Sequence, residues 1–193
     1  HTTAMAILQT FTGNICITGA GGTGKTFLIN RFLESLSPEE KASTLIVCPT
    51  GMAADHLNGS TIHKAFHRSN DVQLPDAITT VPKDLLSVTR IIIDEVNMVR
   101  IDIFDKIMRM VQFIKETINH TIQVIVMGDW GQIQPVATDT DKMLLKEFYP
   151  NAKGLYAFQS TMWEKMNFRK IMLTKIYRQN NVELVEKLHA IKY

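Results

Sequence analysis

The sequence predicts an α/β protein, with a parallel β-sheet flanked by helices, and three observations carry that prediction. Short runs of continuously apolar residues recur along the chain at 14–18, 44–48, 90–94, 121–127 and 170–174. Strands that are apolar at every position, rather than alternating, belong to sheets covered on both faces, and those are parallel sheets. Between these runs lie stretches with helical spacing, clearest in 27–36 and in 101–114, where Ile103, Phe104, Ile107, Met108, Val111 and Ile114 share one stripe. Finally, polar and glycine-containing segments begin where the apolar runs stop. In open α/β sheets ligands bind beyond the carboxyl ends of the strands, so those segments are where chemistry is expected.

Composition narrows the class. At 193 residues the chain fits one compact domain with a substantial core, and its 45% hydrophobic content argues against disorder. The net charge of +2 does not announce a nucleic-acid partner, so any such surface must be a local groove. No apolar run approaches the roughly 20 residues that span a bilayer, and no signal peptide is visible, so an intracellular protein without membrane contact is expected. Cys16 and Cys48 sit within strand-like runs and read as small buried hydrophobes rather than a disulfide framework. Two stretches, 67–86 and 137–154, look like excursions from the α/β alternation.

The first strand, "NICIT", runs into "GAGGTGKT" and then into a helical pattern. Gly19, Gly24, Lys25 and Thr26 meet the spacing GxxxxGK[ST], with Gly21, Gly22 and Thr23 inside it. Glycines let successive backbone N–H groups turn inward around an anion, and the following helix aims its positive dipole end at the same point. Lys25 can reach the terminal phosphates and the Thr26 hydroxyl can ligate Mg²⁺. The loop is read as a nucleoside triphosphate site.

The second strand leads into "CPTGMAADHL" (48–57) and "STIHKAF" (60–66). Pro49, Thr50 and Gly51 leave a strand and open a helix, so Thr50 and the first N–H groups can hold a phosphodiester. His63 and Phe66, three apart, present two flat rings on which bases can stack. Taken alone, the same residues read as a helix cap followed by a core phenylalanine. "HKAFH" (63–67) has the histidine spacing of a zinc protease, but Lys64 stands where the catalytic glutamate belongs and no third ligand follows.

The third strand, "IIIDE", ends in Asp94 and Glu95. Beside a triphosphate, a carboxylate at the strand tip can hold the metal ion that accompanies it. The next carboxylate can orient or deprotonate the attacking water. The fourth, "VIVMGDWGQIQPV" (124–136), stops abruptly at Gly128, and Gln132 is a neutral group able to touch both a γ-phosphate and a water. The last, "KIMLTKIYRQ" (170–179), ends near Arg178, where a guanidinium can neutralise charge on the transferred phosphoryl group.

In this order and spacing, "GAGGTGKT", "CPTGMAA", "TIHKAF", "IIIDEVNMV", "GDWGQIQPV" and "YAFQSTMW…LTKIYRQ" resemble the successive motifs of PIF-family DNA helicases of superfamily one. The resemblance runs from about residue 14 to about residue 180. It implies a RecA-like P-loop NTPase fold and an ATP-driven motor that moves 5′ to 3′ on single-stranded DNA and unwinds duplex. By the same resemblance Lys25, Thr26, Asp94, Glu95, Gln132 and Arg178 serve ATP and Mg²⁺, while Pro49, Thr50, Gly51, His63 and Phe66 lie in segments that contact the DNA strand. The 67–86 excursion falls where the family carries a small strand-separating wedge. Residues 1–193 correspond to a single RecA-like ATPase domain, the first motor domain of a longer helicase whose second motor domain is absent from the chain. A monomer acting at single strands and duplex junctions is implied, located in the bacterial nucleoid or in the eukaryotic nucleus or mitochondrion.

The sequence also departs from the family pattern. Ile133, Gln134 and Pro135 follow Gln132 where the family has Leu-Pro-Pro, and the adenine-reading glutamine falls at about Thr3, with Gln9 too close to the strand. RecD-like helicases share most of these motifs. Two readings of other classes stand beside the motor: a P-loop ATPase switch that binds a partner without translocating, and a small kinase. The kinase lacks support, since no arginine-rich lid is found. Stimulation of ATP hydrolysis by single-stranded DNA separates motor from switch.

Overall fold

The structure, a computed structural model, describes residues 1–67 and 71–177. Its elements run α1 (Thr2–Thr10), β1 (Ile15–Gly19), α2 (Lys25–Ser35), α3 (Pro38–Ala42), β2 (Thr44–Cys48), α4 (Gly51–His56), β3 (Ser60–Thr61), α5 (Ile62–Ala65), β4 (Arg90–Ile93), α6 (Ile101–Ile118), β5 (Gln123–Gly128), α7 (Asp139–Phe148), α8 (Thr161–Lys165) and β6 (Arg169–Leu173). The six strands form one sheet in the order β3-β2-β4-β5-β1-β6. Every adjacent pair is parallel.

The apolar strands do what their composition requires. Along β4, Ile91 and Ile93 enter the core on one face while Ile92 enters the core on the other, and Val124 and Val126 alternate with Ile125 and Met127 along β5. All seven are fully shielded from solvent. One face is covered by α1 and α2, through Ala4, Leu8, Leu28, Ile29 and Phe32. The other is covered mainly by α6, whose stripe of Phe104, Ile107, Met108, Val111 and Ile114 is buried as its spacing predicts. Burying a side chain of this size contributes about 1.5–3 kcal/mol, so this doubly covered sheet dominates stability.

Several elements were not anticipated, α1, β3 and α7 among them. Helix α1 packs in the core ahead of β1. Strand β3 has only two residues and extends the sheet by pairing Ser60 and Thr61 with Val47 and Cys48. The 137–154 excursion contains α7, opened by a capping box in which Thr138 and Asp141 exchange side-chain bonds with each other's backbone N–H.

The described part of the other excursion, 71–86, is held by charged groups on the helix below it. Asp102, with no exposure, accepts the Gln73 backbone N–H at 2.7 Å and two bonds from Arg100 at 2.7 and 2.9 Å. Arg100 also donates to the Asp71 carbonyl at 3.0 Å. Lys106 donates to the Leu74 carbonyl at 3.2 Å and pairs with Asp76. Asp102, Arg100 and Lys106 lie on the side of α6 that the excursion covers, away from its apolar stripe, and burial there requires partners. Strand order now decides the rest. Because β4, β5 and β1 are neighbours, the loops after all three open side by side.

Candidate nucleotide site and adjoining groove

Those three loops line a cavity of about 710 Å³ that contains Gly21, Gly22, Gly24, Lys25 and Thr26 from the first, Asp94, Glu95 and Asn97 from the second, and Gly128, Asp129 and Gln132 from the third. Gly24 caps α2 with φ +83°, a left-handed conformation that favours glycine. Gly19 is needed for a different reason. A Cβ there would lie 2.5 Å from the Leu173 carbonyl oxygen on neighbouring β6. Gly19 and Thr23 shape the loop from behind rather than line the cavity. Thr23 is buried and its hydroxyl donates to the Ala20 carbonyl at 2.8 Å.

Lys25 folds onto its own loop, donating to the carbonyls of Gly19 and Ala20 at 2.6 and 3.1 Å. Those carbonyls hold the ammonium at the rim of the glycine-rich loop that lines the cavity. Gln132 is held as well: its side-chain amide donates to Asp129 at 2.9 Å, and it sits close enough to Gly21 that a Cβ there would meet it at 3.1 Å.

Asp94 is only 8% exposed, and its Oδ1 accepts the Glu95 backbone N–H at 2.7 Å. Burial is the main cause that lifts its carboxyl from 3.8 to about 6, with the Glu95 charge adding to the rise. The Glu95 N–H, Lys25 and His56 pull the other way. Such a group gains by meeting a cation. A buried carboxylate and the first-turn Thr26 hydroxyl lining one cavity suit a hard divalent ion whose remaining ligands are phosphate and water, so the donor set fits Mg²⁺. Among the described residues no cluster of three His, Cys, Asp or Glu is grouped to hold a metal alone. Glu95 adopts φ +51°, uncommon for a residue with a side chain. A left-handed kink directly after the strand tip is strain of the kind that collects at functional sites.

Sequence reasoning missed Asn97 and Asp129. Both are 3% exposed and both face the cavity. The only sequence signal for them is a polar residue just after an apolar strand end. His1, Phe27 and Tyr177 also line the cavity, the His1 ring lying 5.1 Å from Tyr177 and 6.0 Å from Phe27. Arg178 lies outside the described residues.

Beside the nucleotide cavity, beyond β2 and β4, a second groove of about 360 Å³ is lined by Pro49, Thr50, His63, Arg100, Gln134 and Asp141 among others. The Thr50 hydroxyl accepts the Ala53 N–H at 3.3 Å, so it caps α4. A Cβ on Gly51 would meet nothing within 4 Å, so packing does not demand glycine there. His63 lines the groove, and its Nε2 is buried without a hydrogen-bond partner. Phe66 requires a correction. It is fully buried, packed in the core that contains Val47, Ile62 and Ile91, and no base can stack on it. His63 and Phe66 are three apart, but Phe66 also follows the buried Ile62 by four and its N–H donates to the Ile62 carbonyl at 3.0 Å, so its ring shares the inward face of that turn. Cys16 and Cys48 are buried and free, and burial pushes their thiols up to about 11 and about 12. No described helix is long and apolar enough to cross a membrane.

Comparison with known proteins agrees with this geometry. The chain is 32% identical over 191 residues to the ATP-dependent DNA helicase RRM3 of Saccharomyces cerevisiae, and 31% identical over 188 residues to the human ATP-dependent DNA helicase PIF1. Each match covers 93% of this chain but only 25% and 27% of those proteins, so the chain spans about a quarter of their length. Among solved structures, a Bacteroides Pif1 helicase in complex with ADP-AlF3 and single-stranded DNA superposes with a TM-score of 0.84 at 29% identity, over 99% of this chain and 45% of that one. A structure of two coordinating Pif1 helicases at forked duplex DNA gives a TM-score of 0.85. The fold is therefore RecA-like, and the model for PIF1-like helicases matches residues 2–191, so the chain belongs to the PIF1-like helicase family.

Proposed function

We propose that this chain is the ATP-hydrolysing first motor domain of a DNA helicase that moves 5′ to 3′ on single-stranded DNA and separates duplex, using ATP with Mg²⁺. The observation that carries the reading is the shared cavity: three sequence-distant loops bring a phosphate cradle, a buried carboxylate and a neutral amide to one place. The Bacteroides Pif1 helicase in complex with ADP-AlF3 and single-stranded DNA holds ligands of the two kinds that the cavity and the groove beside it suit.

In this reading Lys25 leaves the Gly19 and Ala20 carbonyls to meet the β- and γ-phosphates, and the loop N–H groups hold the remaining oxygens. Thr26 and Asp94 hold Mg²⁺, which when bound offsets phosphate charge and orients the terminal group. Glu95 orients the attacking water and takes its proton. Gln132 exchanges Asp129 for the γ-phosphate, so its position reports whether triphosphate is present. Arg178 neutralises charge on the transferred group. DNA lies along the second groove, with His63 as a base or sugar contact and Pro49–Gly51 against the backbone. Residues 71–86 contribute to a wedge at the duplex junction. A second motor domain closes the open side of the nucleotide cavity, and the working unit is a monomer in the compartment that holds the DNA.

The test is ATP hydrolysis by the full-length protein with and without single-stranded DNA. Strong stimulation is expected, and its absence would favour a nucleotide-dependent switch. Lys25→Ala is expected to weaken ATP by tenfold or more, since contacts to charged groups are worth about 1.5–3 kcal/mol. AMP, which lacks the terminal phosphates, should bind nearly unchanged. Equal ATP affinity of the variant by calorimetry would remove the cradle assignment.

A further inference from the structure

We propose that Asn97 is a positioning residue of the ATPase site. Its carboxamide clasps both ends of the loop that carries Gln132 and so sets where Gln132 stands relative to Glu95. The inference rests on the reading of Gln132 as the γ-phosphate contact.

Asn97 lies in the short 3-10 turn Val96–Met98, two residues after the left-handed Glu95. Its Oδ1 accepts the backbone N–H of Asp129 at 3.2 Å, and its Nδ2 donates to the carbonyl of Ile133 at 3.1 Å. Asp129 opens the loop and Ile133 directly follows Gln132, so one buried side chain spans the whole turn. The fit is close: a Cβ on Gly128 would meet Asn97 Oδ1 at 2.6 Å. Only a side chain with a donor and an acceptor at this reach satisfies both ends, which is what a carboxamide offers.

The rest of the loop is fixed by other means. The Trp130 ring packs edge-on against Phe158 at 4.9 Å and Trp163 at 5.8 Å. Asp129 Oδ1 accepts the Gly131 N–H at 3.1 Å, and Oδ2 accepts the Gln132 amide at 2.9 Å. The Gln132 side chain is therefore the part left to swing. Asn97 ties its base to the same turn that aims Glu95. Gln134 and Met98 line the neighbouring groove, so the clasp joins two segments, 97–98 and 132–134, that each run from the nucleotide cavity to that groove.

The test is DNA-stimulated ATP hydrolysis by the full-length protein carrying Asn97→Ala, Asn97→Asp, Gln132→Ala or the double change Asn97→Ala with Gln132→Ala. Asn97→Asp keeps the size and the acceptor but loses the donor to Ile133, so it serves where the alanine variant fails to fold. Both Asn97 variants are expected to lower kcat about ten- to a hundredfold with KM for ATP within about threefold, as for a misplaced catalytic group. The double variant is expected to be no slower than Gln132→Ala alone, because both act through one group. Normal kcat in Asn97→Asp, or losses that multiply in the double variant, would overturn the positioning role while leaving Gln132 in place. A Gln132→Ala protein with normal kcat would instead overturn the Gln132 reading, and the inference with it.

Discussion

Replacing Asp94 by asparagine is expected to stabilise the folded protein at neutral pH in the absence of divalent metal, while abolishing ATP hydrolysis. The carboxyl is buried, and its pKa stands at about 6 against an ordinary 3.8. A folded-state value above the unfolded one means that the folded protein binds the proton more tightly. The contribution to stability is then most favourable below about pH 4 and is lost as pH rises through about 6. At pH 7.5 both states are ionised, and the buried charge costs about 3 kcal/mol, from two pKa units at about 1.4 kcal/mol each. At pH 5 the folded state is mostly protonated and the cost falls to about half. Asparagine has the same shape, carries no charge and can still accept the Glu95 N–H. Chemical denaturation in EDTA at pH 8, 6.5 and 5 should therefore show a gain for Asp94→Asn that is largest at pH 8. In melting temperature, about 3 kcal/mol corresponds to roughly 6–12 °C for a domain of this size. Adding Mg²⁺ with a non-hydrolysable ATP analogue should raise the wild-type melting point more than that of the variant. A variant less stable at pH 8, or a gain independent of pH, would refute the account of Asp94 as a strained, cation-seeking carboxylate.

Phe66→Ala should cost about 3–5 kcal/mol by opening a cavity in the core, with normal single-strand affinity in the protein that remains folded. His63→Ala should do the reverse, and melting curves paired with fluorescence-anisotropy titrations distinguish the two. Asp102→Asn leaves Arg100 with less than its full counter-charge and should cost about 3 kcal/mol, since breaking a buried pair is expensive. The same change weakens the hold on Gln73, so limited proteolysis should cut first within 71–78. Unchanged cleavage there would show that the charged face of α6 does not hold the excursion.

What the sequence determined by itself was local. A run of apolar residues looks the same wherever it pairs, so β1, β2, β4, β5 and the edge strand β6, which exposes Met172, could be read within a residue or two of their observed bounds. The glycine-rich loop 19–26 was legible for the same reason, because its glycines, Lys25 and Thr26 fall within one eight-residue segment and that spacing does not depend on the rest of the chain. Tertiary structure decided which of these pieces meet. Strand order, which no single segment encodes, set Asp94 and Gln132 beside Lys25 and placed the 49–51 turn beyond a different pair of strands. Phe66 shows the limit most clearly. Three-residue spacing put its ring beside that of His63, but four-residue spacing also puts it beside the buried Ile62, and the apolar ring goes into the core while the imidazole stays at the groove. Asn97 and the charges on α6 were hidden for a related reason. A polar residue in sequence looks solvated until a partner about thirty positions away, Asp129 or Ile133 for one and Gln73 for the other, is folded against it.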